Sequence, residues 1–229
     1  MSTSETEFSF QRAMKKVQSY PFLHRFLPVD RYIIRPPASL VVKALFKTEV
    51  TPNQLTVASV VFAVLAAVVY LGGRPLFFAL AGCLVLISTI LDAADGMLAR
   101  AKGQTSRYGA YLDLFLDRIA DFVVLAGASY GYFKYTRNST FLAFGLVTIS
   151  LYFLQLGLYY LNLIYTRAEK NGEGAEAKSL AALLIFLVSI AGRPDWILIG
   201  VFGMALPGTV IKLVRFLAKG RDPEAVRIR

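Results

Sequence analysis

Six apolar stretches of the sequence restrict the folds that this chain can adopt. Several of them approach the roughly 20 residues that an α-helix needs to cross a lipid bilayer, although the fifth is short. Because 56% of the 229 residues are hydrophobic and only 17% are charged, a second large soluble domain has little room. We therefore expect one all-α, polytopic membrane domain with six transmembrane helices, at residues 54–71, 75–91, 112–132, 141–164, 180–191 and 196–217.

The formal net charge of +10 fits a membrane topology better than a nucleic-acid-binding surface, because the basic residues surround the apolar stretches. With the N-terminus in the cytoplasm, eight Lys and Arg at positions 12–47 and six at positions 212–229 lie on the cytoplasmic side. Only Arg74, Lys134, Arg137 and Arg193 fall on the opposite side. This asymmetry follows the positive-inside rule and predicts an integral protein of the cytoplasmic membrane with both termini in the cytoplasm.

The segment before the first span mixes basic with aliphatic residues. Residues 29–45 show this mixture most clearly and are interrupted by Pro36 and Pro37. The pattern predicts an interfacial amphipathic segment on the inner leaflet, and a solvated basic linker is the alternative. The predicted organisation is an N-terminal segment at 1–50, a membrane domain at 51–218 and a cytoplasmic tail at 219–229.

The first span opens on a strong helix start, Thr51-Pro52-Asn53-Gln54. Thr51 supplies a capping hydroxyl, Pro52 takes the first helical position and Gln54 takes the third. The free backbone N–H groups of such a helix end could receive a phosphate, for which Asn53 is a candidate ligand. The alternative is a transmembrane helix that is simply well capped.

Five aspartates lie within or beside the second and third spans, namely Asp92, Asp95, Asp113, Asp117 and Asp121. An aspartate at the centre of a transmembrane helix costs roughly 2.5 to 3.5 kcal/mol, so several unpaired ones would cancel much of the gain from a span. Asp92 and Asp95 are three residues apart on one helical face, and Asp113 and Asp117 are four apart on another. If residues 103–105 form a tight connection, the two helices run antiparallel and these four carboxylates converge in one pocket.

Four convergent carboxylates repel one another unless a cation lies between them. Oxygen-only ligation favours Mg²⁺ or Mn²⁺ over zinc, and two bridged ions would fit. A single aspartate could instead snorkel to the interface or pair with a basic residue. Arg118 and Asp121 are expected to pair with each other across a helical step and to brace the site. Three small residues, Gly96, Ala99 and Gly109, would let a nucleotide approach the backbone.

These residues resemble the signature of the CDP-alcohol phosphatidyltransferase family, class I. Eight residues at fixed spacing match it over 26 positions, without a departure. The six spans and the basic N-terminal segment also fit the family, so the resemblance covers most of the chain. The matching pattern reads Asp92-x2-Asp95-Gly96-x2-Ala99-Arg100-x8-Gly109-x3-Asp113-x3-Asp117.

The resemblance implies a role for each residue of the pattern. Asp117 would lie near the metals and act as the base that takes the proton from the acceptor hydroxyl. The family is commonly homodimeric, so a homodimer is expected. The implied metal ligands are Asp92, Asp95, Asp113 and Asp117, and the implied CDP-binding residues are Gly96, Ala99, Arg100 and Gly109, joined by Asn53 from the helix start.

The expected reaction is transfer of a phospho-alcohol group from a CDP-alcohol to an acceptor hydroxyl, with release of CMP. Metals would polarise the pyrophosphate while a carboxylate takes the proton from the alcohol. CDP-diacylglycerol is the leading donor and CDP-inositol the alternative. A membrane prenyltransferase would carry acidic motifs farther apart. An ion carrier would spread its acids through the membrane, whereas these lie near the cytoplasmic ends of their helices.

The sequence leaves the acceptor alcohol open, including whether it carries a phosphate. Residues 164–169 resemble the region after the fourth helix of bacterial phosphatidylinositol-phosphate and phosphatidylglycerol-phosphate synthases. Basic residues flank the neighbouring connection, among them Arg167 and Lys178, and Arg215 lies near the end of the sixth span. If the acceptor carries a phosphate, Arg215 and then Arg167 are the predicted acceptor-binding residues, because arginine binds phosphate by paired contacts that lysine cannot reproduce. Ordinary positive-inside anchoring is the alternative.

Overall fold

The computed structural model describes residues 29–166 and 173–219, with side chains at 29–161 and 178–214. Within these ranges the chain is all-helical and has no strand, as predicted. A π-helical turn, Asp30–Ile34, leads into the first of seven α-helices in the described part of the chain. These are α1 Arg35–Leu45, α2 Pro52–Tyr70, α3 Pro75–Lys102, α4 Arg107–Thr136, α5 Ser139–Thr166, α6 Glu173–Ile190 and α7 Asp195–Lys219.

In the described part of the chain, four helices are long and apolar enough to cross a membrane, as expected of a membrane protein. They are α2, α3, α5 over Ser139–Leu161 and α7 over Asp195–Val214. The other two predicted spans fall on α4 and α6. Helix α4 has 30 residues but carries charged residues in its first half, and the apolar part of α6, Lys178–Ile190, is shorter than the rest. Length and composition thus confirm four of the six predicted spans.

Helix α2 packs against both α3 and α4, whereas α3 and α4 contact each other only sparsely. Small residues allow the close approach of α4 to α2. A Cβ on Gly127 would lie 2.7 Å from the Ala67 carbonyl oxygen, and one on Gly131 would collide with the carbonyl of Tyr70. Glycines four residues apart bring transmembrane helices into backbone contact in this way. The two carboxylate-bearing helices therefore owe much of their placement to α2.

Helix α1 covers the end of α3 that carries the aspartates. Its buried residues Ala38 and Val42 belong to one apolar cluster with Ala94 and Leu98 of α3. Pro36 and Pro37 lie in the first turn of α1, directly after the π-helical turn, and the segment stays helical to Leu45. Helix α1 is thus folded onto the helices of the membrane domain.

Candidate carboxylate site

The start of α2 is built as the sequence predicts and brings Asn53 to α4. Gln54 N–H donates to Thr51 Oγ1 at 3.3 Å, and Thr51 N–H donates to Gln54 Oε1 at 2.9 Å. These reciprocal bonds form a capping box, with Pro52 in the first turn. A Cβ on Gly109 would lie 3.1 Å from Asn53 Oδ1. Two of the predicted CDP-binding residues therefore adjoin each other at the first turns of α2 and α4.

Three aspartates bring their carboxylates together between α3 and α4. Asp92, Asp95 and Asp113 each offer one oxygen, and these oxygens lie within 4.8 Å of one another. The donor set contains only carboxylate oxygen, which suits a hard divalent cation such as Mg²⁺ or Mn²⁺. The geometry and the chemistry of these side chains thus fit a metal ion.

Asp95 is the most enclosed of the three aspartates, with an exposed fraction of 6%. Its Oδ2 accepts a hydrogen bond of 2.5 Å from Thr56 Oγ1 on α2, and Thr56 is itself buried. A buried carboxylate needs such donors, and a donor of this kind also fixes which way the remaining oxygen points. Sequence reasoning did not select Thr56, because a threonine within an apolar span carries no signal of its own.

Asp117 joins the cluster through Lys178 of α6. The Lys178 ammonium lies 2.8 Å from Asp92 Oδ2 and 2.5 Å from Asp117 Oδ1, so that it bridges the aspartates of α3 and α4. All four predicted carboxylates therefore meet in one place, with the ammonium group of a lysine from a third helix among them. From the sequence, Lys178 was only one of several basic residues flanking a connection. Its one signal is its position two residues before the apolar stretch 180–191.

Arg118 and Asp121 form the predicted ion pair beside the cluster. Arg118 Nη1 lies 2.8 Å from Asp121 Oδ2, and Arg118 Nη2 lies 3.8 Å from Asp117 Oδ2. Tyr152 of α5 adds a contact that the sequence did not predict. Its hydroxyl donates to Asp121 Oδ2 at 2.6 Å and accepts from Arg118 Nη1 at 2.8 Å. The pair therefore ties the middle of α4 to α5.

Some of the remaining predicted residues lie in the described part of the chain and others do not. Arg100 folds back over Gly96, where an added Cβ would lie 3.3 Å from Arg100 Nη1, and the partly buried Ala99 is its neighbour in the chain. Arg167 lies outside the described residues. Arg215 lies in α7, but its side chain is outside the described part. The structure thus places the CDP-binding candidates and leaves the two acceptor-binding arginines as predictions.

A cavity of about 140 Å³ extends from the carboxylates into the helix bundle. Asp92, Asp117 and Lys178 line its polar end. Further along the same helices its walls are mostly apolar and include Val85, Leu125 and Ile185. The site is therefore a partly open cavity with charged groups at one end, and a group held beside the cluster would be partly shielded from water.

Known proteins are similar to this chain in sequence and in fold. Residues 49–216 match the CDP-alcohol phosphatidyltransferase family. The archaetidylinositol phosphate synthase of Pyrococcus horikoshii is 32% identical over 176 residues, which are 76% of this chain and 85% of that protein. Because the match covers most of both chains, the likeness is not confined to the signature.

Two crystal structures of the phosphatidylinositol phosphate synthase of Mycobacterium tuberculosis have the same fold. The structure with CDP-DAG bound has a TM-score of 0.64 at 19% identity and covers 85% of this chain and 98% of that one. The structure in complex with manganese and citrate has a TM-score of 0.60 at 18% identity, with coverages of 84% and 93%. Together with the match over residues 49–216, the clustered aspartates lead to one conclusion: this chain belongs to the CDP-alcohol phosphatidyltransferase family and is a transferase of phospholipid biosynthesis.

Proposed function

We propose that this enzyme transfers the phosphatidyl group of CDP-diacylglycerol to a hydroxyl of inositol phosphate and releases CMP. The convergence of Asp92, Asp95 and Asp113 within 4.8 Å, with Asp117 beside them, carries the proposal. The acceptor is suggested by the archaetidylinositol phosphate and phosphatidylinositol phosphate synthases that the chain resembles. The donor is suggested by the CDP-DAG bound in one of the structures of similar fold.

The three clustered aspartates are proposed to hold Mg²⁺ or Mn²⁺, as two ions. When bound, such ions stabilise negative charge on a pyrophosphate and on departing CMP. The manganese in a structure of the same fold supports a cation of this kind. Asn53, Gly96, Ala99, Arg100 and Gly109 are proposed to bind the CDP moiety. Two of them, Asn53 and Gly109, adjoin each other, and Gly109 precedes Asp113 by about one turn of α4.

Asp117 is proposed to be the base that accepts the proton of the attacking hydroxyl. One of its oxygens is occupied by Lys178 at 2.5 Å. An acceptor phosphate would compete with the carboxylates for this ammonium and so leave Asp117 Oδ1 free to take the proton. We therefore add Lys178 to Arg215 and Arg167 as a proposed ligand of the acceptor phosphate.

The finer topology also belongs to the proposal. Helices α4 and α6 would complete six spans, because both pack within the bundle formed with the four apolar helices. Helix α1 would lie at the inner leaflet, and the termini and the carboxylate site would face the cytoplasm of a cytoplasmic-membrane protein. We retain the division into residues 1–50, 51–218 and 219–229, and the homodimer, as proposals.

A substrate screen tests the function. Purified protein with CDP-diacylglycerol and Mg²⁺ is assayed for CMP release against inositol phosphate, glycerol 3-phosphate, inositol and serine. A parallel reaction supplies CDP-inositol as the donor. We expect CMP and a phosphatidylinositol phosphate product with inositol phosphate alone. Preference for another alcohol, or turnover of CDP-inositol only, would replace the proposed substrates, and release of pyrophosphate instead of CMP would indicate prenyltransferase chemistry.

A further inference from the structure

A buried ion pair lies at the start of the N-terminal helical segment, residues 30–45, and contacts Ser179 of α6. Asp30 has an exposed fraction of 4%. Its Oδ2 accepts from Arg35 Nε at 2.6 Å, and its Oδ1 accepts from Ser179 Oγ at 2.8 Å. Asp30 and Ser179 are 149 residues apart in the sequence. A buried carboxylate that loses its partners strongly destabilises a protein. The hydrogen bond from Ser179 to Asp30 therefore holds the N-terminal helical segment against α6.

Ser179 follows Lys178 directly in the chain. It too has an exposed fraction of 4%, while the preceding residue reaches Asp92 and Asp117 with its ammonium. A lysine side chain has four rotatable bonds, and its reach depends on where its backbone is held. The hydrogen bond from Ser179 to Asp30 fixes that backbone within one residue of the bridging lysine.

The N-terminal helical segment also packs against α3. Ala38 and Val42 of α1 pack with Ala94, two residues after Asp92. One element thus contacts both helices whose side chains meet in the ion pair between Asp92 and Lys178. The segment therefore fixes the distance between the carboxylate and the ammonium from both sides.

We propose that Asp30 and Ser179 are positioning residues that hold Lys178 at the carboxylate cluster. The acceptor part of this inference rests on the proposed function, in which Lys178 binds the acceptor phosphate. The effect on the metal does not depend on the acceptor. An ammonium placed on Asp92 competes with a cation for that carboxylate, so a displaced Lys178 would let the cation bind more tightly.

The test compares Ser179→Ala, Asp30→Asn and the double variant with the wild-type protein. We expect the KM of inositol phosphate to rise on the order of tenfold, below the roughly 100-fold that a 1 Å misplacement can cost, while the KM of CDP-diacylglycerol stays near its wild-type value. Because both residues make the same contact, the double variant should be no worse than the more damaging single one. Ser179→Thr keeps the hydroxyl, so its KM for inositol phosphate should stay close to the wild-type value.

Binding of Mn²⁺ in the absence of substrates provides a readout that does not need turnover. Ser179→Ala should raise the Mn²⁺ affinity severalfold, in the same direction as Lys178→Gln. The control is Asp195→Asn, which disturbs another buried aspartate. Asp195 has an exposed fraction of 3%, is paired with Arg193 at 2.8 Å and begins α7, just after the end of α6 that lies away from Lys178. This control should lower the unfolding temperature without changing Mn²⁺ affinity or either KM.

The outcomes separate the two proposals. If Lys178→Gln changes Mn²⁺ affinity and acceptor KM while Ser179→Ala and Asp30→Asn change only the unfolding temperature, the positioning role is refuted. Equal rises in both KM values would also refute it, since that is the result of general damage. If inositol phosphate is not a substrate but the Mn²⁺ affinities shift as expected, the proposed acceptor fails and the positioning role stands. If Lys178→Gln changes neither quantity, both the assignment of Lys178 and the positioning role fail.

Discussion

The hydrogen bond from Thr56 to Asp95 offers the sharpest test of the candidate metal site. Replacing Thr56 with valine keeps the shape of the side chain and removes its hydroxyl. The hydroxyl lies 2.5 Å from Asp95 Oδ2 and 3.2 Å from the carbonyl oxygen of Pro52. It has a single proton, and the shorter, charge-assisted contact to the carboxylate is the stronger one. The substitution therefore leaves a buried carboxylate without this donor.

The expected effect follows from the burial of both partners. A hydrogen bond to a charged group contributes about 1.5 to 3 kcal/mol. Unlike an ammonium, the neutral hydroxyl does not compete with a cation but orients the carboxylate. Since about 1.4 kcal/mol corresponds to a tenfold change in affinity, loss of this orientation should weaken binding of a cation held by Asp95 about 10-fold to 100-fold. The same range is typical when a residue that orients a metal ligand is replaced.

Titration of the purified variant with Mn²⁺ measures this effect directly. Thr148→Val is the matched control, because Thr148 is fully buried in α5 and its hydroxyl donates to the Phe144 carbonyl oxygen of its own helix. We expect the control to bind Mn²⁺ like the wild type. Unchanged Mn²⁺ affinity in Thr56→Val, with both proteins folded, would show that Asp95 does not need the Thr56 hydroxyl in order to bind the metal.

The remaining predictions concern the metal, the base, the nucleotide and the acceptor. A chelator should abolish CMP release, and added Mg²⁺ or Mn²⁺ should restore it; full turnover in excess chelator would contradict the metal site. Asp117→Asn should lower kcat by a factor on the order of 100 or more with CDP-donor binding nearly intact, whereas Asp92→Asn should weaken Mn²⁺ and donor binding as well. Gly109→Leu should abolish donor binding at unchanged helix content, since its side chain would crowd Asn53, whose Oδ1 lies 3.1 Å from the Cβ position; unchanged donor affinity would exclude that contact. Arg215→Lys should raise the acceptor KM severalfold and leave the donor KM unchanged, because lysine cannot form the paired contact to phosphate; an unchanged acceptor KM would make Arg215 a membrane anchor.

Relations within one helix, or across one short connection, were accessible from the sequence. The capping box at Thr51 and the ion pair between Arg118 and Asp121 depend on spacings of three residues, which helical geometry fixes. The convergence of the carboxylates follows from similar spacings on two helices joined by a short loop after Gly103. Apolar length likewise predicted the helices that meet the criterion for membrane spans. It also predicted a span at residues 112–132 of α4, a helix that carries charged residues in its first half and is not among the four that meet this criterion.

Contacts between distant segments were decided by the tertiary structure. Lys178 lies 61 residues from Asp117, and Thr56 lies 39 residues from Asp95. In the sequence, a lysine before an apolar stretch is indistinguishable from a membrane anchor, and a threonine within one is indistinguishable from a packing residue. Their partners depend on which helices come together, which is set by backbone contacts such as that of Gly131 with Tyr70. Helical periodicity thus determined the acids of this site, and interhelical packing determined the groups that neutralise and orient them.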